Sequence, residues 1–146
     1  MPTVFLDANI FFAAVRSHSG GSYFIIELAK KRQMNIVTVA YALAEAERNI
    51  KKKLGDEMLN AHYENLLSMK PTIQSLAHMP IGLEQKLSSC VPEKDIPIVL
   101  GALASGVEAL VTLDQKHLLK NVKLLAMDLP FSMMTPGDFL KKHFLR

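Results

Sequence analysis

Apolar residues in this chain follow two alternating rhythms, short continuous runs and helical spacings. Val4-Phe5-Leu6 is an apolar run that stops at Asp7. Residues 36–39 and 109–113 form runs of the same kind, and the second stops at Asp114. Runs this short, bounded by polar residues, predict buried strands, the first over Thr3 to Leu6. The segments between them are helical in period. Residues 10–15 predict a short helix, and residues 17–22, with Gly20-Gly21, predict a loop. Residues 23–33 predict a helix with Phe24, Ile25 and Leu28 on one face. Lys30, Lys31 and Arg32 sit at its end, where the helix dipole favours cations. Residues 40–53, closed by Gly55, and residues 56–69 predict two further helices. Pro71 breaks the pattern, residues 72–76 predict a weak strand, and residues 83–87 a short helix. Residues 92–105 predict a strong helix, with Pro92, Glu93 and Asp95 at its positive end and Gly106 at its C-cap. A short basic helix over residues 115–120, a strand over residues 122–126 and an amphipathic helix beginning in Thr135-Pro136-Gly137-Asp138 complete the pattern.

Strands alternating with helices predict an α/β fold, a three-layer α/β/α sandwich with a mostly parallel central sheet. The 146 residues suit a single domain spanning 1–146, without repeat, low-complexity tract or linker. Hydrophobic residues make up 49% of the chain, enough for a sizeable core. The lone Cys90 excludes an internal disulfide framework and suits a reducing cytoplasm. The N-terminus lacks a basic n-region and Asp7 interrupts its first apolar run, so no secretory signal is expected. No apolar run approaches the ~20 residues that span a bilayer, so no membrane association is expected. A cytoplasmic protein is the resulting expectation.

In a parallel sheet all strand carboxyl ends share one edge, and ligands collect there. Asp7 and Asp114 would therefore meet at one rim. Two strand-end carboxylates in one small domain are explained by a shared hard cation, which takes oxygen ligands. Two further acids can reach that rim. Asp95 lies near a helix start, where capping is the ordinary alternative. Glu45 lies in the helix after the second strand, where Glu47 competes for the same role; helical spacing leaves the choice open. If four of the 14 acids are gathered there, the 17 Lys and Arg leave a balance of +7 elsewhere, against +3 overall. Such a surface suits a polyanion.

Taken in order, the strand with Asp7-Ala8-Asn9, Leu43-Ala44-Glu45-Ala46, Pro92-Glu93-Lys94-Asp95-Ile96-Pro97-Ile98, Leu110-Val111-Thr112-Leu113-Asp114 and Thr135-Pro136-Gly137-Asp138-Phe139-Leu140 resemble a PIN domain. This is the metal-dependent nuclease fold of VapC-type toxins and of RNA-processing factors. The resemblance covers essentially the whole chain. It implies a catalytic and metal-holding quartet at Asp7, Glu45, Asp95 and Asp114, with Glu45 preferred because a small residue, Ala46, follows it. It places Asn9 and Thr112 as groups that hold the carboxylates, and it implies one or two Mg²⁺ or Mn²⁺ ions. Ligation by carboxylates alone is expected, which excludes a Cys or His structural zinc site.

The activity so implied is endoribonuclease cleavage of RNA phosphodiester bonds, plausibly by the toxin of a toxin–antitoxin pair. The alternative is a non-catalytic RNA- or protein-binding PIN module; the intact quartet argues against it. A small-molecule phosphohydrolase would want a second Asp at position 9, where Asn9 stands. The expected partners are single-stranded or looped RNA, an antitoxin protein and a second copy of the chain. Arg16, Lys116 and His117 are candidate substrate contacts by position. Lys51-Lys52-Lys53 with Arg48 could meet phosphates, although a solvated helix end favourable to the dipole explains them somewhat better.

Overall fold

The computed structural model describes residues 1–145. Strands β1 (Thr3–Leu6), β2 (Asn35–Thr38), β3 (Thr72–Ile73), β4 (Ala109–Val111) and β5 (Ser132–Met134) form one sheet. Their order is β3-β2-β1-β4-β5, and every neighbouring pair is parallel. The helices are α1 (Ala8–Arg16), α2 (Gly21–Lys30), α3 (Ala40–Leu54), α4 (Asp56–Met69), α5 (Ile81–Ser88), α6 (Ile96–Ser105), α7 (Val122–Leu125) and α8 (Pro136–His143). Helices α1 to α4 pack against one another with α8 beside α2, whereas α6 packs on β2 and against α5. The result is the expected three-layer α/β/α arrangement. No helix among the described residues is long and apolar enough to cross a membrane.

β1 is the central strand, with Val4, Phe5 and Leu6 fully buried. Both of its faces are covered, which is why it reads as a continuous apolar run instead of an alternating one. Phe5 lies opposite Val37 of β2 and Leu110 of β4. The chain winds outward from β1 through β2 to β3, then returns to place β4 on the other side of β1. The boundary between β1 and β4 is therefore the point where strand order reverses. At such a point the loops leaving adjacent strands diverge and a crevice opens.

Three segments depart from the sequence pattern. Residues 122–126, expected as a strand, form helix α7. Asn121 caps it by accepting from the Leu124 N–H at 3.1 Å, and only Leu124 of its apolar residues is buried. The missing strand is β5, three residues of Ser-Met-Met with little β-propensity, paired on one side only. Helix α2 begins at Gly21, inside the expected loop, and its buried residues are Ser22, Ile25, Ile26 and Ala29. Phe24, expected to share a face with Ile25 and Leu28, is exposed while Ile25 is buried, and it lines an apolar cleft with Leu28, Leu140, Phe144 and Leu145.

Helix α6 crosses the sheet closely because Gly101 has no side chain. A Cβ there would stand 2.6 Å from Phe5 Cε2 and from Val39 Cγ1. Replacing Gly101 by Ala is therefore expected to lower stability by about 1–3 kcal/mol through overpacking. Gly82, in helix α5 with nothing within 4 Å of such a Cβ, should instead gain roughly 0.5–1 kcal/mol as Ala. Thermal or urea denaturation of the two variants checks both; equal effects would remove the close-approach explanation.

Candidate metal centre at the strand switch point

Asp7 directly follows β1 and is the N-cap of α1. Its backbone N–H donates to the carbonyl of Val111 at 3.1 Å, extending the pairing with β4 by one bond. Its side chain is buried and well supplied with donors. Oδ1 accepts from the Ala8 N–H at 2.7 Å, and Oδ2 accepts from the Thr112 hydroxyl at 2.8 Å and the Asn9 amide at 3.4 Å. Burial nevertheless wins and raises the Asp7 pKa to about 6. The Thr112 and Ala8 bonds pull it down, while Asp95 and Glu45 push it further up.

Thr112 and Asn9 extend this network to the second strand end. The Thr112 hydroxyl oxygen accepts from the Asp114 N–H at 3.1 Å, and the Asn9 side-chain oxygen accepts from the Leu113 N–H at 3.1 Å. Both side chains tie the turn after β4 to the turn after β1. Asp7 and Asp114 consequently lie on the same edge.

Asp95 ends a single 3₁₀ turn, Glu93–Asp95, that leads into α6. The expected helix over residues 92–105 is thus split, and Asp95 falls at the N-cap of the α-helical part. It makes no capping hydrogen bond there. The residue is 8% exposed and its Oδ2 finds no hydrogen-bond partner among the described residues. A buried carboxylate oxygen without a donor is unusual and calls for a partner of another kind. Burial raises the Asp95 pKa, helped by Asp114; Lys94 and His117 oppose the rise.

The partners that approach are Asp114 and His117. One ligand atom from each of Asp95, Asp114 and His117 lies within 4.8 Å of the others. His117 Nδ1 stands 3.5 Å from Asp95 Oδ2 and 3.4 Å from Asp114 Oδ2. The sequence suggested carboxylates alone, with His117 as a substrate contact; the structure adds its ring nitrogen to the acids. The signal was present as two residues, Asp114 and His117, three apart in one turn. Carboxylates and an imidazole, one oxygen orphaned, fit a divalent cation.

Glu45 and Glu47 point to different surroundings. Glu45 is half-buried and shares a cleft with Ala8, Asn9, Phe12, Asn49 and Lys53. Its charge is felt by both Asp7 and Asp95. Glu47 is exposed beside His62 and Tyr63, away from the rim. Of the candidate substrate contacts, Arg16 lines a cleft with Leu113 and residues 135–137, and its guanidinium lies 5.6 Å from the Phe12 ring centroid. Lys53 Nζ lies 5.7 Å from the same ring. The sequence singled out neither Phe12 nor its bracketing by two cations. Lys116 is exposed beside His117.

Comparison with known proteins gives this geometry a family. No curated protein matches the sequence. Among solved structures, a chain of VapBC2 from Rickettsia felis, solved bound to a DNA fragment from its promoter, superposes with a TM-score of 0.66. That match has 19% sequence identity and covers 91% of this chain and 98% of that one. At such identity it establishes a shared fold. The PIN domain profile matches residues 3–116, a stretch that carries β1, β4, all four acids of the rim and the residues that hold them. The chain belongs to the PIN-domain family.

Proposed function

We propose that this protein is a metal-dependent endoribonuclease that hydrolyses phosphodiester bonds in single-stranded or looped RNA. The observation that carries the reading is the buried, unpartnered Asp95 Oδ2 facing Asp114 at the strand switch point. Family membership supports a nuclease, and likeness in fold to VapBC2 supports the toxin of a toxin–antitoxin pair.

Asp7, Glu45, Asp95 and Asp114 are the residues proposed to hold one or two Mg²⁺ or Mn²⁺ ions and to carry catalysis. When bound, such an ion supplies a water of lowered pKa and Lewis-acid stabilisation of charge on phosphate oxygens. The chain's own groups do the positioning. Thr112 and Asn9 orient the Asp7 carboxylate and the backbone of Asp114. Arg16, Lys53 and Lys116 offer cations to the backbone of a nucleic-acid strand. Phe12, half-buried between two of them, offers a ring edge beside the acids. RNA duplexes hide their bases in a deep, narrow groove, so unpaired segments suit this open rim better. Exposed Tyr41, Tyr63 and Leu67 on the α3–α4 pair provide surface for an antitoxin or a second copy.

Purified wild type should cleave a mixed RNA pool in Mn²⁺, and EDTA should stop it. Asp7→Asn and Asp95→Asn should each lose at least ~10²-fold in rate, as for one strong electrostatic stabiliser. Glu45→Gln should lose far more than Glu47→Gln. Equal cleavage by wild type and Asp7→Asn would expose a contaminating nuclease and remove the support for Asp7. No cleavage by any variant, with properly folded protein, would favour a binding module instead.

Metal-free stability should fall as pH rises from about 4 to about 6. The native state keeps a proton on Asp7 up to about pH 6, whereas the unfolded chain loses it near the ordinary value of 3.8. Above this window the charged, desolvated carboxylate opposes folding by on the order of 2–3 kcal/mol. Asp7→Asn should flatten the profile and be the more stable protein at pH 7 in EDTA. Urea titrations from pH 4 to 8 decide this; an Asp7→Asn profile as steep as wild type would assign the pH dependence elsewhere.

A further inference from the structure

We propose that His117 is a nitrogen ligand of the metal centre and sets its preference for later first-row ions such as Co²⁺ and Zn²⁺ over Mg²⁺. This rests on the metal-centre reading above and narrows the ion it takes. The contacts of His117 Nδ1 with Asp95 Oδ2 and Asp114 Oδ2, at 3.5 and 3.4 Å, are too long for good N–H···O hydrogen bonds. They match the edge, roughly 3.4 Å, between ligands of a four-coordinate ion whose bonds are about 2.1 Å long. The ring nitrogen thus stands from each carboxylate as one ligand stands from another around a common centre, and Asp95 Oδ2 has no hydrogen-bond partner among the described residues.

The backbone around His117 is shaped to hold the ring there. Residues Gln115–Leu119 form a π-turn, in which the Leu119 N–H donates to the Asp114 carbonyl at 3.0 Å and the Lys120 N–H to the Gln115 carbonyl at 2.8 Å. Single π-turns are rare and recur at functional sites, because the wider turn re-aims a side chain. Asp114 Oδ1 accepts from the His117 N–H at 2.9 Å, leaving Oδ2 free toward the ring. On the other side the Asn121 amide donates to the His117 carbonyl at 2.8 Å and to the Cys90 carbonyl, also at 2.8 Å. Asn121 therefore ties the arm that carries His117 to the arm that leads into Asp95.

The chemical consequence follows from ligand type. Mg²⁺ and Mn²⁺ favour oxygen donors and gain little from an imidazole, whereas later first-row ions such as Co²⁺ and Zn²⁺ accept one readily. Isothermal titration of EDTA-stripped full-length protein with Mg²⁺, Mn²⁺ and Co²⁺ tests this. For His117→Gln, Co²⁺ affinity should drop at least ~10-fold, while Mg²⁺ affinity should change by less than about twofold. In wild type, adding Zn²⁺ should move the NMR resonance of His117 Nδ1 into the range of a metal-bound nitrogen, whereas adding Mg²⁺ should leave it in the range of an unligated ring. Wild type that binds metal, with a His117→Gln variant that keeps the same ion preference, overturns the imidazole inference alone. Wild type that binds none of these ions overturns the metal-centre reading and this inference with it. Loss of all ions alike in a folded His117→Gln variant means the ring only positions Asp95 and Asp114, and equally overturns it.

Discussion

Burial of the Asp7 carboxylate at the junction of β1 and β4 is the constraint on which the rest of the site depends. Its two oxygens accept from Ala8, Thr112 and Asn9, and still burial dominates and lifts its pKa to about 6. A group so placed is unfavourable for folding when charged. The surrounding hydrogen bonds reduce that penalty and fix geometry at the same time. Through Thr112 and Asn9 they join the turn after β1 to the turn after β4, so both strand-end acids are set by one network.

Asp95 and His117 belong to a second arm with a different design. Here the fold leaves a buried carboxylate oxygen unbonded and shapes the neighbouring backbone with a 3₁₀ turn and a π-turn. Asn121 braces the two through carbonyls of both segments. The Asp7 carboxylate has donors from its own turn and from Thr112, whereas Asp95 Oδ2 has none among the described residues.

Charge is distributed to match. The acids gather at the switch point, while cations sit on the flanks, with Arg16 and Lys53 either side of Phe12. A polyanion is repelled by an uncompensated acidic centre and attracted by its margins. On the proposed reading, a bound cation would offset part of the negative charge of the centre and so lessen its repulsion of a nucleic-acid strand.

The sequence by itself determined the α/β class, most helix bounds and the meeting of Asp7 with Asp114. Each of those follows from local pattern: continuous apolar runs for strands buried on both faces, and the rule that parallel strands end on one edge. It did not determine β5, whose Ser-Met-Met run has meaning only beside β4, nor α7, whose cap by Asn121 outweighed the β-branched look of Val122. Nor did helical spacing separate Glu45 from Glu47, a choice only the family resemblance made, because spacing says which residues share a face but not which face a neighbour covers. Packing of α4 against α3 turned Glu47 toward His62 and Tyr63 and left Glu45 beside Asn9. The orphaned Asp95 oxygen and the approach of His117 were likewise decided only by tertiary structure. Both depend on two loops, from distant parts of the chain, being held within hydrogen-bond reach of one another.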